Sequence, residues 1–295
     1  MTPRSAFKSY STALSVGVLV VAMISFQAGA ALAKGLFPLI GASGATALRL
    51  MLASLMLLAV WRPWRTRPTA QEARSLVMYG LAMGWMNLFF YLSLSRIPLG
   101  IAVALEFTGP LAVAMAASHR AADFLWIALA ALGLLALLPS GLESKPLAPA
   151  GIAYALAAGF CWALYILFGQ KAGAVHGGRT TALGTVVGAA VIAPIGMVHA
   201  GPALFAPALL PAACAVALLS SALPYSLEMY ALTRLPTRTF GVLMSLSPAL
   251  GALSGLCFLG EHLTPIQWGA IGSIMIASAG SAATSRPAWQ PPLAE

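Results

Sequence analysis

Long apolar runs, separated by short stretches that hold arginine, lysine, proline or glycine, fill this chain from one end to the other. At a rise of about 1.5 Å per residue, a helix of roughly 20 apolar residues crosses the roughly 30 Å hydrocarbon core of a bilayer. Ten segments fit that template: residues 13–33, 43–61, 75–95, 97–117, 124–139, 149–169, 180–200, 208–230, 240–259 and 265–284. The connections between them are short, which leaves no room for an inserted soluble domain. The predicted fold is an all-α polytopic membrane protein of ten transmembrane helices.

A repeat runs through the same pattern. Arg96-Ile97-Pro98 is followed by Pro110, and 138 positions later Arg234-Leu235-Pro236 is followed by Pro248 at the same offset. Upstream, Tyr91-Leu92-Ser93-Leu94-Ser95 is answered by Met229-Tyr230-Ala231-Leu232-Thr233, and Thr46-Ala47-Leu48 by Thr181-Ala182-Leu183. Each copy then holds five helices, over residues 10–140 and 148–285. Because five is odd, the second copy enters the membrane from the opposite side, so the repeat is of inverted topology. Pro110 and Pro248 lie inside predicted helices, where the missing N–H and the clash with the preceding turn kink or break the helix. The freed backbone groups must then face protein or water, since hydrocarbon does not satisfy them. GxxxG pairs at Gly80 and Gly84, Gly184 and Gly188, and Gly251 and Gly255 favour close helix contact.

Composition excludes the soluble classes. Hydrophobic residues make up 60% of the chain and charged residues 8%, with a mean hydropathy of +0.89, whereas soluble domains carry about 25% charged residues. The net charge of +9 follows the positive-inside rule rather than pointing to nucleic acid. With both termini in the cytoplasm, Arg4, Lys8, Arg62, Arg65, Arg67, Arg74, Arg120, Lys171, Arg179, Arg234, Arg238 and Arg286 fall inside. Lys34, Arg96 and Lys145 fall outside, and Arg49 lies within a helix. The first apolar run is too long for a signal-peptide core and has a counterpart in the second half, so it reads as a helix of the bundle. Cys161, Cys214 and Cys257 are odd in number and intramembrane, which suits packing rather than disulfides. His119, His176, His199 and His262 lack metal-ligand spacing. No zinc-protease, nucleophile-elbow, phosphate-loop or dinucleotide motif is present, so no cofactor and no enzymatic role are expected.

Polar residues inside apolar helices carry the candidate chemistry. Glu106 is tenth in a 21-residue apolar segment, where an ionised carboxylate is expensive and marks a pathway or an ion pair. It needs a partner, a proton or a substrate. Arg49 is its natural partner, either neutralising it or binding a substrate carboxylate through its planar fork. The repeat mates of these residues are Met244 and Gly184, so the charge belongs to one half only. Glu228 sits near the end of the eighth helix, free to snorkel or to pair with Arg234 or Arg238. Lys34, Lys171, Asp123 and Glu261 read as solvated anchors at helix ends. Gln27, Asn87, Tyr91, Trp162, Tyr165, Ser220, Tyr225 and Ser247 either line a polar cavity or bond between helices.

Several strings carry a resemblance. Val103-Ala104-Leu105-Glu106-Phe107-Thr108-Gly109-Pro110, Ala222-Leu223-Pro224-Tyr225-Ser226-Leu227-Glu228 and the segments 232–241 and 258–267 resemble the bacterial threonine/homoserine exporter family of the drug/metabolite transporter (EamA-type) superfamily. Residues 34–41 and 46–50 extend the likeness over almost the whole chain. The resemblance implies a ten-helix inner-membrane carrier of two EamA-type repeats that exports small neutral amino acids by proton antiport. The family pattern has a glutamate just before the ninth-helix proline, where this chain has Ser247, so an acidic role there is absent. Export of cationic or aromatic compounds is the alternative within the superfamily. A membrane-embedded enzyme or scaffold is the alternative outside it.

Overall fold

The structure is a computed structural model that describes residues 3–65, 69–116, 121–137, 147–176, 178–232, 234–235 and 237–284. Among these residues it is helical throughout, with no strand. In chain order the α-helices are α1 (Pro3–Lys34), α2 (Phe37–Trp61), α3 (Ala70–Leu94), α4 (Leu99–Glu106), α5 (Thr108–Ala116), α6 (Ala121–Ala136), α7 (Pro149–His176), α8 (Gly178–Ala200), α9 (Leu210–Ala217), α10 (Leu223–Leu232), α11 (Thr237–Met244), α12 (Ser247–Leu259) and α13 (Pro265–Thr284). A π-helical turn, Leu218–Ala222, joins α9 to α10.

Within the described residues, the ten predicted segments are mainly helical, but not all are single rods. Among the described residues, seven stretches are long and apolar enough to cross a membrane: Ala13–Lys34, Phe37–Trp61, Gln71–Leu94, Pro149–Gly169, Arg179–Phe205, Pro207–Glu228 and Thr239–Leu259. The stretches Leu99–Val113 and Phe124–Ala136 are apolar but shorter. The protein is therefore a polytopic membrane protein. The fourth predicted helix is split at Phe107 into α4 and α5, and the ninth at Ser245-Leu246 into α11 and α12. Each split begins three residues before a proline, Pro110 or Pro248, which removes one N–H from the ladder and crowds the turn before it. The breaks at Phe107 and Ser245 stand at the repeat offset.

Packing is closest where glycines remove side chains. A Cβ on Gly84 would stand 2.9 Å from Gly188 Cα, and one on Gly80 would stand 2.6 Å from Val187 Cβ and 2.7 Å from the Gly184 carbonyl. Two of the predicted GxxxG pairs thus face each other, and α3 meets α8 backbone to backbone. The third pair works differently. Gly251 makes room for Val103 of α4, and Gly255 for the Glu261 carboxylate. Gly109 of α5 lies directly on Gly159 of α7.

Lys34 and Glu261 depart from the expectation of separate solvated anchors. The Lys34 ammonium is 2.5 Å from Glu261 Oε1, while Leu99 N donates to Glu261 Oε2 at 2.7 Å. Pro98 precedes α4 and offers no capping side chain, so an acid 162 residues away satisfies its N-terminus. One carboxylate ties the end of α1, the start of α4 and the α12–α13 turn together. The three cysteines are free, as expected. The cation tally remains an expectation: Arg67, Arg120, Lys145 and Arg286 lie outside the described residues, as do the side chains of Arg4, Lys8, Arg65, Lys171 and Arg238. The same holds for the Asp123 anchor's side chain.

Because the α3–α8 seam has no slack, Gly84→Val is expected to destabilise the bundle by about 1–3 kcal/mol or to prevent its accumulation. Thermal unfolding in detergent checks this, with Gly17→Val, where a Cβ meets nothing within 4 Å, as the tolerated comparison.

Candidate functional site

Arg49 is fully buried on α2. A guanidinium cannot lose its charge, so the surrounding backbone must supply acceptors. The π-helical turn does so. Pro224 has no N–H to give to the Ser220 carbonyl in an α-helical ladder, and the helix widens before it. The Ser220 carbonyl accepts from Arg49 Nη2 at 2.8 Å, and Ser221 Oγ accepts from Nε at 3.0 Å. The guanidinium carbon lies 5.1 Å from the Tyr91 ring centre and 5.6 Å from that of Phe26, close enough for cation–π attraction. Nη1 is buried and, among the described residues, has no hydrogen-bond partner.

Glu106 ends α4 at the helix break and is 6% exposed. Its own carbonyl is covered by Gly159 of α7, where a Cβ would come within 2.7 Å. The Arg49 charge acts on the Glu106 carboxylate, yet the two side chains form no salt bridge with each other. Arg49 and Glu106 therefore share the interior without a direct salt bridge. At the same break, Trp162 of α7 meets Phe107 edge-on, with ring centres 5.3 Å apart.

The face of α3 formed by Tyr79, Met83, Asn87 and Tyr91, each four residues from the next, organises the remainder. Tyr91 is fully buried, and its hydroxyl has no partner among the described residues. Asn87 donates to the Met83 carbonyl at 2.8 Å and lies beside Tyr225. Tyr79 stacks on Tyr165 of α7 at 4.6 Å and donates to its hydroxyl at 3.0 Å. The Glu228 charge reaches all three tyrosines, Tyr79, Tyr165 and Tyr225. The expected pairing of Glu228 with Arg234 is not made. Arg234 instead stacks on the Tyr230 ring at 3.7 Å and donates to its carbonyl, and the Arg238 side chain lies outside the described residues.

Ser247 begins α12 and does not reach the charged pair. Its hydroxyl donates to Met23 Sδ at 3.4 Å, and its carbonyl, in the first turn of α12, accepts from Gln27 Nε2 at 3.4 Å. Pro110 is half-buried on α5, and Pro248 is buried at the start of α12. Sequence reasoning missed Tyr79, Ser221 and Phe26. The four-residue register of Tyr79 with Asn87 and Tyr91 was the available signal for the first. No local pattern marks the other two.

An all-helical membrane bundle with broken helices and buried charges at its centre is built as a small-molecule transporter rather than an enzyme. The profile of the EamA-like transporter family matches residues 149–282. The threonine/homoserine exporter RhtA of Escherichia coli (strain K12) is 57% identical over 273 residues, covering 92% of each chain, as is RhtA of Salmonella typhimurium (strain LT2). The chain belongs to the EamA-like transporter family, in the company of these exporters. A crystal structure with 18% identity shares the fold at a TM-score of 0.55, over 93% of this chain and 97% of its own.

Removing the acceptor beside Arg49 is expected to be felt throughout the bundle. Ser221→Ala leaves Nε of a buried cation without its bond, a cost of about 1–3 kcal/mol. A lowered unfolding temperature in detergent, at near-normal membrane yield, is the expected reading.

Proposed function

We propose that this chain exports threonine, homoserine and similar small neutral amino acids across the bacterial inner membrane, in exchange for protons. The 57% identity to the RhtA exporters over nearly the whole chain supports the substrate class. One observation carries the site assignment: Arg49 keeps a buried guanidinium N–H unpartnered while Glu106 stands apart from it without an ion pair. A cation and an anion held separately suit the two ends of a zwitterion. Arg49 takes the carboxylate, and Glu106 takes the ammonium or the exchanged proton. Tyr91, Asn87 and Tyr225 complete the polar wall, Trp162 and Tyr165 the aromatic one, and Glu228 a second acidic position beside it.

The frame is ten helices in two inverted repeats, residues 10–140 and 148–285, with both termini cytoplasmic. Three features support it. α2 packs on α8, α4 on α12 and α6 on α13, so the second, fourth and fifth predicted helices meet their own repeat mates. The contact of α3 with α7 has its counterpart in α1 with α10. The helix breaks stand at Phe107 and Ser245, 138 positions apart as in the repeat. Rocking of one half against the other about the central charges gives alternating access.

Counterflow of labelled amino acids in proteoliposomes tests the substrate class: threonine and homoserine should exchange, and absence of both would remove the proposal. Glu106→Gln is expected to abolish the pH dependence of threonine export while the protein still reaches the membrane. Unchanged export at every pH would rule out the role given to Glu106. Arg49→Lys keeps the charge but loses the fork, and should lower the exchange rate about tenfold or more. A second reading, export of aromatic or cationic compounds, draws on the tyrosines gathered around Glu228. Stronger competition by a hydrophobic cation than by threonine would favour it.

A further inference from the structure

We propose that Gln27 is the specificity-determining residue for the side-chain hydroxyl of the transported amino acid. This inference rests on the amino-acid export reading above. Gln27 lies on α1 and is 2% exposed. Its amide orientation is settled by its neighbour: the Ser247 carbonyl only accepts, so the nitrogen of Gln27 must face it. Oε1 then points away as an acceptor, buried and without a partner among the described residues. A buried acceptor left unbonded is costly, and a ligand that supplies a donor relieves the cost.

Gln27 stands next in sequence to a residue that meets Arg49, and near the helix that carries Glu106. The preceding residue, Phe26, lies against the Arg49 guanidinium. A Cβ on Gly251 would stand 3.4 Å from Gln27 Oε1 and 3.1 Å from Val103 Cγ2, and Val103 is one helical turn before Glu106 on α4. Three buried polar atoms among the described residues have no hydrogen-bond partner: Arg49 Nη1, the Tyr91 hydroxyl and Gln27 Oε1. Their chemistry complements a hydroxy amino acid. Arg49 and Tyr91 both have a proton to give a carboxylate, and Glu106 has a charge for the ammonium. The one remaining substrate donor is the side-chain hydroxyl, and Gln27 Oε1 is the remaining acceptor. Valine has nearly the shape of threonine but no hydroxyl, so it would leave Oε1 unbonded. Sites built around such a bond reject the analogue that lacks it far more strongly than apolar pockets reject an added group.

The test compares initial counterflow rates of labelled threonine, homoserine and valine in proteoliposomes of the full chain. Wild type should prefer the two hydroxy amino acids. Gln27→Met removes the acceptor at similar volume and should lower the threonine-to-valine rate ratio by roughly tenfold or more. Gln27→Asn keeps the amide but draws it back by one methylene, and should move the ratio in the same direction. It is the variant to read if Gln27→Met fails to accumulate. A ratio unchanged in the accumulating variant overturns the inference, whether both rates fall together, as expected of a residue that only braces the α11–α12 break, or neither falls. A wild type that moves threonine and homoserine without preferring them to valine overturns this inference alone. A wild type that moves neither overturns the export reading with it.

Discussion

A guanidinium sealed inside an apolar bundle imposes demands that most of the central structure answers. Arg49 cannot discharge itself by losing a proton, so acceptors and aromatic faces must be brought to it. The π-helical turn before Pro224 supplies a serine carbonyl, Ser221 a hydroxyl, and Phe26 and Tyr91 their ring faces. These contacts come from α1, α3 and the α9–α10 junction, so the relative placement of three elements is fixed by one cation on α2. The glycine seam of α3 against α8 reinforces that placement further along α3.

Incomplete satisfaction gives the centre its chemistry. Arg49 keeps one N–H, Tyr91 its hydroxyl and Gln27 its carbonyl oxygen unbonded by described residues. Buried polar atoms left unbonded cost stability. Glu106 is placed by a different device, the end of a broken helix, where the chain can present a carboxylate without extending α4. Beyond the matching break at Ser245, the Ser247 carbonyl at the start of α12 accepts from Gln27 and orients its amide.

Away from the centre, the Lys34–Glu261 pair and the Leu99 N–H form a separate polar junction. It joins chain segments from both halves at one end of α4. Its logic is that of a helix cap supplied from a distance, needed because a proline precedes the helix and has no capping group.

The apolar run lengths in this sequence determined membrane helices, and the spacing of two prolines located the helix breaks, because both effects act over a few neighbouring residues. Glu106 and Arg49 were legible for the same reason: a charge within an apolar run is conspicuous without knowing what it touches. Tertiary structure decided everything that depends on partners distant in the chain. Lys34 and Glu261 looked like solvated ends until folding placed them 2.5 Å apart across 227 positions. Glu228 was open to pairing with Arg234, which folding stacks on Tyr230 instead. Ser221 and Gln27 were two among many uncharged polar residues, whose roles are set by which groups they meet and which they leave unbonded. Hydrophobicity is a property of the residue, whereas hydrogen-bond satisfaction belongs to the fold.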